Sequence, residues 1–289
     1  MRTDRLPPLG LAALTVLEVP PLDLVPLAAR AGFAAIGLRL APAAPGGVAY
    51  RLSRADQAEL RRRLDGEGLR VHDVEILTLD PAFQPAAHAP LLDLAAVLGA
   101  RRLTVCGEDP EPARLAASLA GLAELAAARG LGIDLEFMGW RATATLAQAE
   151  AAVRAADHPG AAVLIDALHL ARTGASPADV AILPAALLVS AQLCDAPPAA
   201  PPTREALIAE ARGERKLPGS GALPLAALLA ALPEATVLSA EIPQAGVADP
   251  AERARRAFAA TAGLFAADST RSPPAPPAAP AGTATTTPR

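Results

Sequence analysis

Three consecutive stretches decide the fold of this chain: Gly132-Ile133-Asp134-Leu135-Glu136-Phe137, then the run from Leu146 to Ala156, then Ala161-Ala162-Val163-Leu164-Ile165-Asp166. The outer two are short and mainly apolar, as a strand covered on both faces must be. The middle one places apolar residues three and four apart, with Glu150 and Arg154 opposite, which is helical spacing. Strand, helix and strand in that order make a crossover unit with parallel strands.

The same alternation extends in both directions. Further strands are predicted at Leu11–Leu17, Ala35–Leu40, Arg70–Leu77, Arg102–Cys106, Val189–Cys194 and Thr236–Glu241, and further helices at Asp23–Ala31, Arg54–Glu67, Leu91–Leu98 and Pro112–Ala128. Gly32, Gly68, Gly99 and Gly130 follow helical runs where a left-handed stop belongs. Eight units over about 265 residues give roughly 33 residues each, the size of a β–α unit. The prediction is a single (β/α)8 TIM barrel, in the α/β class, spanning residues 1–267. A doubly wound open sheet is the rival. Its glycine-rich turn after the first strand is missing, since Glu18-Val19-Pro20-Pro21-Leu22 stands there. The seventh unit is irregular: the proline-rich span from Ala196 to Pro224 reads as an extended loop with a short helical stretch. Residues 268–289, rich in Pro, Ala and Thr, read as a disordered tail.

Hydrophobic residues make up 52% of the 289, but aromatics only 2%, so the core must come from Leu, Ala, Val and Ile. The net charge of −4 argues against a nucleic-acid partner, whose binding is driven by clustered basic charge. The densest basic run, Arg61-Arg62-Arg63, sits on the polar face of a helix. Lys216 is the only lysine, so single arginines are weak functional pointers here. Cys106 and Cys194 lie in apolar runs and suit a reducing compartment. No apolar run is long enough to span a membrane. A cytoplasmic protein is expected, its oligomeric state left open, a homo-oligomer included.

A barrel of this kind does its chemistry where the C-terminal strand ends converge. Strands five to eight end in groups that an apolar core would not tolerate: Glu136, Asp166, Gln192 and Glu241. Burying three carboxylates together without a counter-charge is prohibitive. One divalent metal ion resolves this, and oxygen ligands favour Mn2+ or Mg2+, with Co2+ or Zn2+ less suited. Arg39 and Glu75 each interrupt an apolar strand, and an ion pair between them is the simplest reading, substrate contact the next. Alternation places Asp73, Glu75 and Leu77 on one face. Trp140 follows strand five, where it offers a flat wall to a ring-shaped substrate. His72, His88 and His158 read as ordinary helix or loop residues.

Over about residues 9–265 the sequence resembles the sugar phosphate isomerase/epimerase family of xylose isomerase-like barrels. The resemblance is carried by residues 135–138, 165–174, 191–197, 215–221 and 240–243, beginning Leu135-Glu136-Phe137-Met138 and ending Ala240-Glu241-Ile242-Pro243. It implies that Glu136, Asp166, the strand-seven position and Glu241 hold one metal. It also implies that His169 contacts substrate or transfers a proton, and that Arg215 reaches substrate oxygens or a carboxylate. Gln192 stands where histidine is common, and in this it is similar to the metal-dependent 3-dehydroshikimate dehydratases of the same superfamily.

The expected function is therefore a metal-dependent isomerase or epimerase acting on a small sugar, sugar acid or cyclic polyol through an enediolate. Glu136 and Glu241 would serve as its bases and His169 as its proton-transfer partner. A dehydratase-like lyase is the alternative, and a non-catalytic sugar-binding barrel a third reading. An endonuclease IV-like repair enzyme would need more histidine ligands and a basic groove.

Overall fold

The computed structural model describes residues 6–44 and 46–266. Eight parallel strands close into a barrel in sequence order: β1 (Leu9–Leu11), β2 (Ala35–Arg39), β3 (Arg70–Leu79), β4 (Arg102–Gly107), β5 (Gly132–Glu136), β6 (Ala161–Asp166), β7 (Ser190–Leu193) and β8 (Val237–Ala240). Pairing of β1 with β8 completes the ring and rules out the open sheet. The helices are α1 (Pro21–Ala31), α2 (Arg54–Glu67), α3 (Ala89–Val97), α4 (Pro112–Ala127), α5 (Leu146–Ala156), α6 (Ala167–Arg172), α7 (Pro177–Ala181), α8 (Arg204–Gly213), α9 (Leu225–Ala231) and α10 (Pro250–Ala266). Among the described residues no helix is long and apolar enough to cross a membrane. The expected tail, 268–289, lies outside the described residues.

Local signals explain most boundaries. Ser53 with Asp56, and Thr145 with Gln148, close reciprocal capping boxes at the starts of α2 and α5. Gly32 ends α1 at φ 103°, and a Cβ there would also meet the Phe258 ring at 2.8 Å. The main core is an aliphatic cluster between strands and helices, centred on residues such as Leu11, Ile36, Leu103, Leu119, Ile133 and Val163, and Ile76, Cys106 and Met138 form a smaller one.

The first expected strand is misplaced. β1 covers Leu9–Leu11, and Ala13–Val16 turn as a 3-10 helix. Thr15 holds that turn against the end of β8, donating to the Ala240 carbonyl at 3.0 Å and accepting from the Ile242 N–H at 2.9 Å. A short apolar run carries no periodicity that separates strand from turn, and these contacts bridge more than 220 residues.

β3 is irregular in two places. Ile36 and Gly37 of β2 pair with Val71 and Asp73, so His72 is an extra residue, and the register to β4 shifts again between Val74 and Leu77. After the second shift Ile76 follows Glu75 onto the pocket wall, while Leu77 joins the main apolar cluster. The expected face of Asp73, Glu75 and Leu77 therefore breaks at Leu77. His72 is also no loop or helix residue. It is buried in β3, its Nε2 lying 3.0 Å from Ser190 Oγ, which donates to Asp134 at 2.7 Å, and Arg102 pairs with the same aspartate. The barrel floor is thus polar where such barrels usually stack aliphatic side chains. His88 stacks on Phe83 and His158 accepts from the Gly160 N–H, both ordinary loop roles.

Candidate functional site

Glu136 and Asp166 are the last residues of β5 and β6. Asp166 also caps α6, accepting from the N–H groups of Leu168 at 2.7 Å and His169 at 3.0 Å. That cap places His169 over the strand end, with Nε2 3.6 Å from Glu136 Oε1 and the ring edge-on to Trp140, centroids 5.1 Å apart. Gln192 pairs in register with Asp166. Glu241 follows β8 and donates its N–H to the Leu193 carbonyl at 3.1 Å.

Arg215 enters from the long connection after β7. Its side chain is 1% exposed, its Nη1 lies 2.5 Å from Asp166 Oδ2, and its Nη2 lies 2.8 Å from Glu241 Oε2. The Gln192 amide donates to the other Glu241 oxygen at 3.1 Å, leaving Gln192 Oε1 buried without a partner among the described residues. Arg39 and Glu75 form the expected pair at 2.8 Å. Arg39, Glu75, Glu136, Trp140, His169, Gln192, Arg215 and Glu241 all line one pocket with about 550 Å³ of empty volume, counting its open mouth. Asp166, fully buried, lies behind that lining, against Arg215.

Four carboxylates (Glu75, Glu136, Asp166 and Glu241) thus meet two guanidiniums (Arg39 and Arg215), an excess of negative charge when all are ionised. The carboxyls respond unequally. Burial, and then the neighbouring Asp166, push Glu136 up to about 8. Burial also raises Glu241 well above the carboxylate range against the pull of Arg215. Asp166 is likewise buried, but Arg215 and His169 outweigh burial and hold it at about 2. Burial lowers His169 to about 4 despite Asp166. Glu136, Asp166 and His169 offer ligand atoms within 4.8 Å of one another. With the orphaned oxygen of Gln192 alongside, the donor set and its charge suit a divalent cation.

Three functional features escaped the sequence reading. Arg141 and Arg212 also line the pocket. Asp195, buried beyond β7, accepts from the N–H groups of Ala196, Gly219, Gly221 and Leu223 at 2.8–3.0 Å, and its backbone bridges Lys216. It thereby shapes the loop that presents Arg215. A Cβ at Gly221 would come within 2.2 Å of Asp195 Oδ1, so the glycine is required by this approach. Asp195 lies three residues past Gln192 in a strand-end segment already singled out, and that was the only signal.

The family described as xylose isomerase-like TIM barrel matches residues 25–262. The chain belongs to that family. A 3-dehydroshikimate dehydratase of Pseudomonas aeruginosa is 36% identical over 144 residues, 48% of this chain and 22% of that protein. The chain thus spans about a fifth of the length of this curated relative. Among solved structures, the IOLI protein with a binding zinc atom superimposes with TM-score 0.75 at 19% identity, covering 90% of this chain and 99% of that one. D-allulose 3-epimerase from Methylomonas sp. in complex with D-allulose gives 0.63 at 19%, covering 86% and 94%. At these identities the structural likeness concerns the fold.

Proposed function

We propose that this protein is a divalent-metal-dependent enzyme that removes a proton beside a carbonyl group of a small hydroxylated substrate and completes the reaction by loss of water. This is the chemistry of a 3-dehydroshikimate dehydratase-like lyase. The observation that carries the reading is the asymmetry of the two pocket carboxylates. Both Glu241 oxygens are engaged, one by Arg215 and one by Gln192. Among the described residues Glu136 has only the 3.6 Å approach of His169. One carboxylate without a hydrogen-bond partner among the described residues serves an elimination, which needs one base, better than an epimerisation, which needs a proton returned from the opposite face. The 36% identical dehydratase relative and the glutamine at position 192 support the same choice.

Glu136, Asp166, Gln192 and Glu241, with His169 beside them, would hold one cation, Mn2+ or Mg2+ by the oxygen content of the set. Such an ion supplies charge stabilisation for the oxygen of the polarised carbonyl. Kept ionised by the positive charge of such an ion, Glu136 would take the proton from the carbon next to that carbonyl. The electron pair forms the new double bond, the β-carbon–oxygen bond breaks, and the departing hydroxyl recovers a proton from Glu136 and leaves as water. The step is redox-neutral. His169 is neutral by burial and keeps an unpartnered Nδ1 for a substrate oxygen. Trp140 walls the ring.

Epimerisation is the second reading, favoured by the presence of Glu241 on the same lining, three strands around the barrel from Glu136. With Mn2+ and 3-dehydroshikimate, the rise of protocatechuate absorbance tests the lyase. Glu136→Gln is expected to lower turnover by roughly 10²–10⁴-fold with an unchanged circular dichroism spectrum. No absorbance change, with ketose epimerisation instead, would replace the lyase by the second reading. Absence of both activities and of metal uptake would leave a sugar-binding barrel.

A further inference from the structure

We propose that a small cavity in the barrel floor, lined by Asp73, Thr104, Gln192 and Ser239, binds one monovalent alkali cation beneath the acidic cluster at the mouth. The inference does not depend on the reaction proposed above, because it concerns the protein free of divalent metal.

The cavity has about 200 Å³ of empty volume, with room for about one occupant the size of a water molecule. His72, Asp134 and Ser190 complete its polar lining. Thr104 and Gln192 line both this cavity and the pocket above, so the two spaces are neighbours inside the barrel. Glycines on β1 and β2 leave room for the oxygens that face it. A Cβ on Gly10 would come within 2.5 Å of Ser239 Oγ, and one on Gly37 within 2.8 Å of Asp73 Oδ1.

Two separate observations point to a cation. The first is charge. Asp134 is paired with Arg102 at 2.5 Å, and Glu75 with Arg39 at 2.8 Å. Asp73 is 5% exposed, and among the described residues it forms no ion pair and accepts one long hydrogen bond, from the Thr104 hydroxyl at 3.3 Å. A buried carboxylate without a counter-charge is costly. Burial, and then the Glu75 and Asp134 carboxylates, raise Asp73 well above the usual carboxylate range. The second observation is a hydroxyl without a partner. Ser239 is also 5% exposed and lines the same cavity, and its Oγ forms no hydrogen bond among the described residues. Polar groups buried this deeply are normally bonded.

These groups set oxygen donors around one excess negative charge, which one Na+ or K+ would balance. A divalent ion keeps several waters or gathers more oxygens than this space has room for. An ordered water would bond Ser239 but leave the charge of Asp73 in place.

The test follows thermal unfolding in EDTA with NaCl, KCl or choline chloride at equal ionic strength, choline being too large to enter. The unfolding temperature is expected to rise by about 2–4 °C in an alkali salt relative to choline, saturating with concentration, as for a ligand at about five times its Kd. Asp73→Asn should remove the difference between the salts while melting cooperatively in each. Should Asp73→Asn fail to fold, Ser239→Ala serves instead, expected to raise the half-saturating ion concentration at least about threefold. Identical melting of the wild type in all three salts would overturn the inference, with Asp73 then carrying a proton or meeting water alone. A difference that survives in Asp73→Asn, or a half-saturation unchanged in Ser239→Ala, would place the ion in the acidic cluster at the mouth and overturn the floor site.

Discussion

Two charged regions share the mouth of this barrel. On β2 and β3, Arg39 and Glu75 meet at 2.8 Å as a balanced pair. At the ends of β5, β6 and β8 stand Glu136, Asp166 and Glu241, of which Asp166 and Glu241 share the single guanidinium of Arg215. Both regions are deeply buried, so the difference is one of charge count. A balanced pair carries no excess charge, whereas the acidic cluster is relieved only by protons or by a cation. Burial first, and then the neighbouring carboxylates, raise Glu136 and Glu241.

Removing Arg215 strains the comparison most. Arg215→Met leaves Asp166 and Glu241 without their counter-charge, and a loss of about 3–5 kcal/mol is expected from denaturant melts without metal. Added Mn2+ should recover part of it, because cation and guanidinium seek the same oxygens. A variant equally unstable with and without Mn2+ would mean that these carboxylates do not hold a metal.

Asp195 acts on the cluster through the loop. Asp195→Asn turns an acceptor for four N–H groups into a partial donor, and a loss of about 1–3 kcal/mol is expected. Its diagnostic reading is a change in the Mn2+ dependence of stability, as Arg215 loses its fixed position. A variant destabilised with the wild-type Mn2+ response would confine Asp195 to loop structure.

The pH dependence follows from the same imbalance. Folded Glu136 keeps its proton to about 8 where the unfolded chain releases it near 4.5, so the folded state holds more protons and stability falls with rising pH. His169 works the other way between about 4 and 6.5, because the folded imidazole stays neutral where the unfolded one is charged. From pH 6.5 to 8 the Glu136 effect acts without that opposition, at up to about 1.4 kcal/mol per pH unit. Thermal melts of metal-free protein should show the decline, and Mn2+ should flatten it. A flat metal-free profile would remove the charge imbalance from the argument.

The smallest effect is expected at the balanced pair. Replacing both partners, Arg39→Met with Glu75→Leu, should change stability by less than about 1 kcal/mol, since apolar residues can substitute for a buried pair and the further bond lost, from the Ala13 N–H to Glu75 at 3.3 Å, is a long one. A large loss would show that β2 and β3 depend on their ions as the acidic cluster does.

Much of the fold was legible locally. The bounds of α2, α5 and β6 follow from their capping boxes and apolar spacing, and Glu136 and Asp166 from their places at strand ends. β1 was not legible, because a turn and a strand can share one short apolar run. The inward turn of Ile76 was not legible either, since an extra residue in β3 is defined only against its neighbours. Arg141 and Asp195 were hidden by composition: one among many arginines, one among many acids.

By itself, then, the sequence determined the alternation of strands and helices and the level at which the acidic residues emerge, because both follow from spacing along a short stretch of chain. Only the tertiary structure decided which charges meet. Arg215 lies 49 residues from Asp166 and 26 from Glu241, and ring closure with the loop shaped by Asp195 brings them within reach. Coulombic contact depends on distance in space, and no local pattern encodes it.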